Sequence, residues 1–339
     1  MSRTTKAIGL AGVLTLACVL AMRVPAAEAC DVCAIYVGTT KQEQRPGPFV
    51  AIAEQFTHFG TLQLDGEEIP NFDDEYVNSS TTQLVLGYTF HRRFHMQLNL
   101  PFIVRDFRRV TETGTETDSE IGLGDLSVLA RYSLLQTVIP NSVINLDVLG
   151  GLKLPSGNTA RLGEEIAVPA EDALRIGPGE PPRHDGPGGE ISGVHGHDLT
   201  LGTGSVDGII GASLFASYRR MFFKSGVQYV LRTEGDFNYT FANDLQWDGG
   251  IGGYLFLRHD FTMALEAFFM GESKGKDTQN GVRLDDTAVT ALYVGPRLTF
   301  TYSTRMSANI GAGLPVIQNT TSLQIVPDYR IRAALTWHF

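Results

Sequence analysis

Cysteine, positive charge and long apolar runs are scarce in this 339-residue chain, and each scarcity narrows what it can be. Lys and Arg number 27 against 37 Asp and Glu, a formal net charge of -10. With no basic cluster to offset that balance, nucleic acid is excluded as a partner. Beyond the first 22 residues no apolar run reaches the ~20 residues that a spanning helix needs. The mean hydropathy of -0.02 would suit a soluble acidic protein. It suits a membrane barrel equally, because a barrel strand is apolar only on alternate residues. Only three cysteines are present. Cys18 falls in the N-terminal apolar run, leaving Cys30 and Cys33 as a Cys-x-x-Cys pair. Ala34 stands where a haem-attachment motif needs histidine, and Asp31 alone is a poor further metal ligand. A small disulfide is the expectation for an exported pair.

What is there begins with an export signal. Arg3 and Lys6 precede an apolar stretch from Ala7 to Met22, and Ala27-Glu28-Ala29 has the small-x-small pattern of a cleavage site before Cys30. A lipidated Cys30 is the alternative, but Ala27, Glu28 and Ala29 make a poor lipobox. The expected organisation is a signal peptide over 1–29, a periplasmic segment over 30–48 and a barrel over 49–339.

The barrel expectation rests on parity. Phe94, Met96, Leu98, Leu100, Phe102 and Val104 share one face of their segment, with His95, Gln97, Asn99 and Arg105 on the other. Leu292, Val294, Leu298, Phe300 and Tyr302 oppose Arg297, Thr299 and Thr301 in the same way, and Phe261, Met263, Leu265, Ala267 and Phe269 oppose Glu266. In lipid every second side chain meets hydrocarbon, where charge is expensive, so charges collect on the lumen parity. About 12 strands are predicted, at 49–62, 80–90, 94–108, 120–134, 142–154, 205–218, 222–233, 243–257, 261–273, 286–302, 306–317 and 325–339. Strands this long exceed the usual ~5–6 residues of soluble sheets.

Four connections are tight, at His91-Arg92-Arg93, Arg219-Arg220-Met221, Arg258-His259-Asp260 and Ser303-Thr304-Arg305. A looser fifth runs from Leu135 to Asn141, and the connections between them are expected to be at least as long. Tyr88, Phe90, Phe94, Tyr218, Phe222, Phe261 and Tyr302 cluster at strand ends, as an interfacial girdle would. Short turns inside and long loops outside, with an even strand count, place both termini in the periplasm. The last strand alternates Tyr329, Ile331, Ala333, Leu335, Trp337 and Phe339 against Arg330, Arg332, Thr336 and His338. An aromatic terminus on this alternation resembles the signal read by the outer-membrane assembly machinery. The fold class expected is therefore an all-β, antiparallel transmembrane barrel in a Gram-negative outer membrane, with outer-membrane lipid around it. No outward parity shows a distinct polar interface.

Three Gly-rich segments follow one another at telling spacing: Gly122-Leu123-Gly124-Asp125-Leu126 with Arg131-Tyr132, Gly151-Leu152-Lys153-Leu154-Pro155-Ser156-Gly157, and Leu201-Gly202-Thr203-Gly204-Ser205-Val206-Asp207. In order and spacing they resemble the outer-membrane transporter family named for the MetA pathway of phenol degradation. The resemblance implies a barrel with a transport role for small solutes, aromatic or otherwise hydrophobic compounds among them. It supplies no catalytic residues and no cofactor.

By parity, Arg105, Asp125, Arg131, Asp147, Lys153, Asp207, Lys224, Arg232, Asp248, Glu266, Arg297, Arg330 and Arg332 point into the lumen, where mixed charges either pair and plug it or line a selective channel. The longest loop, 155–204, holds Arg183-His184-Asp185 and His195-Gly196-His197-Asp198. His184, His195 and His197 are candidate Zn²⁺ or Cu²⁺ ligands. The default reading is a solvated, flexible loop whose histidines bind nothing, and a third is a loop folded inward to narrow the pore. The leading function is a channel or facilitator for small solutes; the alternative is a metal-binding or metal-efflux-associated barrel using these histidines and the Cys pair. An enzyme is not expected, since no paired nucleophile and base shares a lipid-facing parity and Gly204-Ser205 lacks the strand-to-helix setting of a nucleophile elbow.

Overall fold

The computed structural model describes residues 46–111, 114–166, 192–284 and 286–339. The expected signal peptide, the Cys30/Cys33 pair and His184 lie outside them. Twelve strands form one closed antiparallel barrel. They are β1 (Gly47–Leu64), β2 (Tyr76–His91), β3 (Phe94–Thr111), β4 in two sections (Gly114–Leu123 and Leu126–Ile139), β5 (Ser142–Leu154), β6 (Asp207–Tyr218), β7 (Met221–Leu231), β8 (Asp244–Leu257), β9 (Phe261–Lys274), β10 (Val289–Tyr302), β11 (Met306–Thr320) and β12 (Leu323–His338). Each pairs with its chain neighbours, and β12 returns to β1 in a register running from Phe49↔His338 to Leu64↔Leu323. Closure satisfies the backbone of both terminal strands and removes the exposed edge that an aromatic β12 would otherwise present. No helix among the described residues is long and apolar enough to cross a membrane.

The alternation sorts as the parity requires. Along β3, His95, Asn99, Arg105 and Phe107 are buried, whereas Met96 and Phe102 are exposed on the outer wall. Tyr88, Phe90, Tyr218, Tyr302, Trp337 and Phe339 lie exposed near the short turns. The backbone of Phe339 also donates to Pro48 O at 3.1 Å, fixing both ends of the barrel at that rim.

Several expectations need correction. The loose fifth turn is tight: β4 runs on to Ile139, and Pro140-Asn141 closes the hairpin with Asn141 at φ 64°, a left-handed conformation that asparagine tolerates. At the opposite rim, Thr321-Ser322 is equally short, because β11 and β12 extend past the predicted ends. The short-and-long rhythm therefore holds for most connections but not all. Phe222 belongs to no girdle; it faces inward against Tyr254, ring centroids 5.4 Å apart.

The outer wall is also less uniform than expected. Glu54 lies on it between Ile52 and Phe56, accepting hydrogen bonds from Ser80 Oγ and Thr82 Oγ1 at 2.5 Å each. Its height is midway between Trp337, opposite Val50, and Tyr329, opposite His58. The β11–β12 ladder stops at Gly313↔Arg330. Beyond that point Pro315 and Pro327 each remove a backbone donor, and the Gln318 amide bridges to Pro327 O at 2.6 Å.

Candidate functional site: lumen and plug

The three Gly-rich segments meet at one carboxylate. Asp125 sits where β4 breaks between its two sections, and it accepts from Ser156 N (3.1 Å), Gly157 N (3.0 Å) and Thr203 N (2.9 Å). Lys153 Nζ lies 2.5 Å from Asp125 and 2.9 Å from Asp207, and it also donates to Thr203 Oγ1. Arg232 closes the set at 2.8 Å from Asp207. The glycines permit the approach. A Cβ on Gly202 would come within 2.7 Å of the Gly157 backbone and 2.8 Å of Asp125 Oδ1. These segments thus fasten the end of the 155–204 loop to the inner wall.

Below this knot the lumen charges pair across strands. Lys224 reaches Glu266 at 3.0 Å, with Arg297 at 3.8 Å from the same carboxylate and over the Phe268 ring. Arg330 pairs with Glu272 at 3.1 Å and stacks over Tyr293. Asp147 accepts from Ser133 Oγ at 2.6 Å, and Arg131 faces inward opposite His95. Between these pairs lies a cavity of about 150 Å³ whose lining includes Gln55, Gln83, Gln228, Asp248, Arg297 and Arg332.

The rim opposite the short turns is covered from within. Residues 192–203 turn into the barrel, and Val194 and Leu199 pack against Leu62, Val77, Phe107 and Ile325. Arg105, almost wholly buried, donates through Nη1 to the carbonyls of Asp198 (2.7 Å) and Thr200 (2.5 Å). Ile325 N donates to Gly193 O at 2.8 Å, and Glu75 Oε2 takes Ser192 Oγ and Gly193 N. This part of the loop is not solvated: His195 and His197 are buried, their rings stacked 5.3 Å apart. Burial is the physical reason the solvated reading fails here. Lumen groups on β3 and the β1–β2 connection satisfy its backbone, so it can leave water.

Electrostatics at the plug are dominated by acids. Burial would lower the pKa of His195, yet Asp198 and Asp286 beside it more than offset this and raise it. Burial likewise opposes ionisation of Asp198, but His197 and His195 hold its carboxyl well below the usual range. Glu75 is pushed up by burial against the pull of its Ser192 and Gly193 bonds. At the outer edge, Arg161 pairs with Glu120 (2.6 Å) and Glu164 (2.7 Å), which raise its pKa in spite of burial.

Parity assigns these charges to the lumen, but several of their partners are visible only in the fold. Glu75, Glu272 and Asp286 were not singled out, and Asp198 only as a neighbour of the histidines. Glu272 follows Gly271 on the same alternation as Glu266, so parity alone could have found it. Asp286 could not be found that way, since it lies in the β9–β10 connection.

No protein-family model matches the chain, and no curated protein matches it, so the resemblance to the phenol-degradation transporters has no family match behind it. Among solved structures, the chain is similar to the COG4313 outer-membrane channel from Pseudomonas putida F1, at 12% identity over 90% of this chain and 100% of that one, TM-score 0.56. The transport unit of the autotransporter AIDA-I from Escherichia coli matches at 9% identity over 92% and 94%, TM-score 0.44. The β-domain of the Bordetella autotransporter BrkA matches at 11% over 87% and 100%, TM-score 0.43. What the chain shares with the Pseudomonas putida channel is the fold: a closed barrel of the outer-membrane type.

Proposed function

We propose that this chain is an outer-membrane channel through which small solutes cross, with residues 192–203 as an internal constriction. The barrel termini and short turns face the periplasm, the plugged rim faces outward, and the signal peptide delivers the chain there. One observation carries the reading: an apolar outer wall encloses a polar, charge-paired lumen that still holds a cavity behind the plug. A barrel of 12 strands lies between the small filled barrels and the open porins of roughly 16–18 strands. Residues such as Lys224, Arg297, Arg330 and Arg332, with Glu266 and Glu272, would line the path.

The resemblance to phenol-pathway transporters supports aromatic solutes, and the lumen arginines favour those bearing an acid or hydroxyl group. The aromatic final strand is the segment offered to the assembly machinery. Liposome swelling with the refolded barrel tests this reading. Small aromatic acids should enter faster than neutral sugars of equal size, and vesicles no more permeable than protein-free controls would refute it.

A further inference from the structure

We propose that the plug carries a binding site for one divalent transition metal of the zinc class, formed by His195, His197 and Asp198 and backed by Asp286. One ligand atom from each of the first three lies within 4.8 Å of the others. His195 Nδ1 is 3.6 Å from Asp198 Oδ2, and His197 Nε2 is 3.5 Å from Asp198 Oδ1, so small side-chain rotations bring all three onto one ion. Two imidazoles and a carboxylate are a donor set that zinc accepts, leaving a fourth position for water.

Independent observations point to a ligand. His195 Nδ1 and both carboxylate oxygens of Asp286 are buried without a hydrogen-bond partner among the described residues. Leaving such groups unsatisfied is costly, and their presence together implies something they were placed to serve. Asp286 Oδ2 lies 3.7 Å from His195 Nε2, on the far side of the ring from Asp198. That is where a carboxylate belongs when it takes the second N–H of a metal-bound histidine and fixes its tautomer. Glu75, from the β1–β2 connection, anchors the start of the same segment by accepting from Ser192 Oγ and Gly193 N. Asp198 is the entry side, its side chain 35% exposed while both rings are nearly closed off.

The ligands belong to the 192–203 segment and the backing carboxylate to the connection between β9 and β10. A bound ion therefore ties two loops together across the mouth of the barrel. The site stands or falls by metal binding and does not depend on whether the barrel conducts.

The test uses the full barrel, refolded, with C30S/C33S so that the N-terminal thiols contribute nothing. Calorimetric titration with Zn²⁺ should give one ion per chain. H197Q should weaken it at least tenfold and D286N by about 10–100-fold, the range for loss of a supporting carboxylate. Circular dichroism and heat-modifiable gel mobility establish that the variants fold. Wild-type affinity in a folded H197Q variant overturns the proposal. Should H197Q fail to fold, Co²⁺ added to the wild type decides: d–d bands of a low-coordinate nitrogen–oxygen site support it, and a spectrum of hexaaqua Co²⁺ overturns it.

Discussion

Replacing Lys153 with methionine removes the cation at the centre of the Asp125 knot. Lys153, Asp125 and Asp207 are all buried, so the loss is not screened by water. Deleting one member of a buried ion pair costs about 3–5 kcal/mol, because the remaining charge is left uncompensated. The lower end applies here. Asp125 keeps its bonds from Ser156, Gly157 and Thr203, and Asp207 keeps Arg232 at 2.8 Å and Thr233 N at 3.0 Å. K153M should thus destabilise the barrel by about 3 kcal/mol. Adding D125N should recover at least ~1 kcal/mol of that, since contacting members of one network do not contribute additively. Urea titration from phospholipid vesicles, followed by the fluorescence of Trp247 and Trp337, measures both. A loss under about 1 kcal/mol for K153M, or strict additivity in the double variant, would refute the network's role.

Other perturbations follow from the same geometry. R105M removes the guanidinium that holds the Asp198 and Thr200 carbonyls, and should loosen the plug: protease cleavage within 192–203 should rise about tenfold or more, corresponding to loss of charge-assisted bonds worth at least ~1.5 kcal/mol. E54L replaces an acid on the outer wall and should stabilise the barrel in vesicles by about 1–2 kcal/mol, less than the cost of a basic side chain at mid-depth; a destabilisation in the same urea assay would mean that this face meets protein or water instead of lipid. Deleting Phe339 should lower the yield of assembled barrel in cells while leaving refolding in detergent nearly intact, as read by gel mobility. Equal losses in both settings would make the residue a structural one.

Strands inside the apolar band were legible because alternation there is enforced by lipid on one side and water on the other. Phe94–Val104 and Leu292–Tyr302 read directly, and the register of β3 and β10 follows them. The upper ends did not. Asp106, Arg108, Asp118 and Ser119 place polar groups on both faces of β3 and β4, so the parity signal fades while pairing continues from Phe102↔Leu123 to Thr111↔Gly114. The plug was legible only as one of three readings of its loop, for a different reason: a glycine-rich segment with two histidines and an aspartate has the composition of a solvated loop. Distant groups such as Arg105, Glu75, Leu62 and Ile325 make its burial favourable, and no local pattern announces such contacts. Glu54 was missed because its acid disobeys parity, and the hydroxyls that shelter it lie on another strand.

Single-channel conductance across a planar bilayer tests the central claim most directly. The refolded wild type should open discrete, small steps, and R105M should open larger or more frequent ones as the constriction loosens. A barrel that stays closed in both forms, at every voltage and salt concentration tried, would contradict the account.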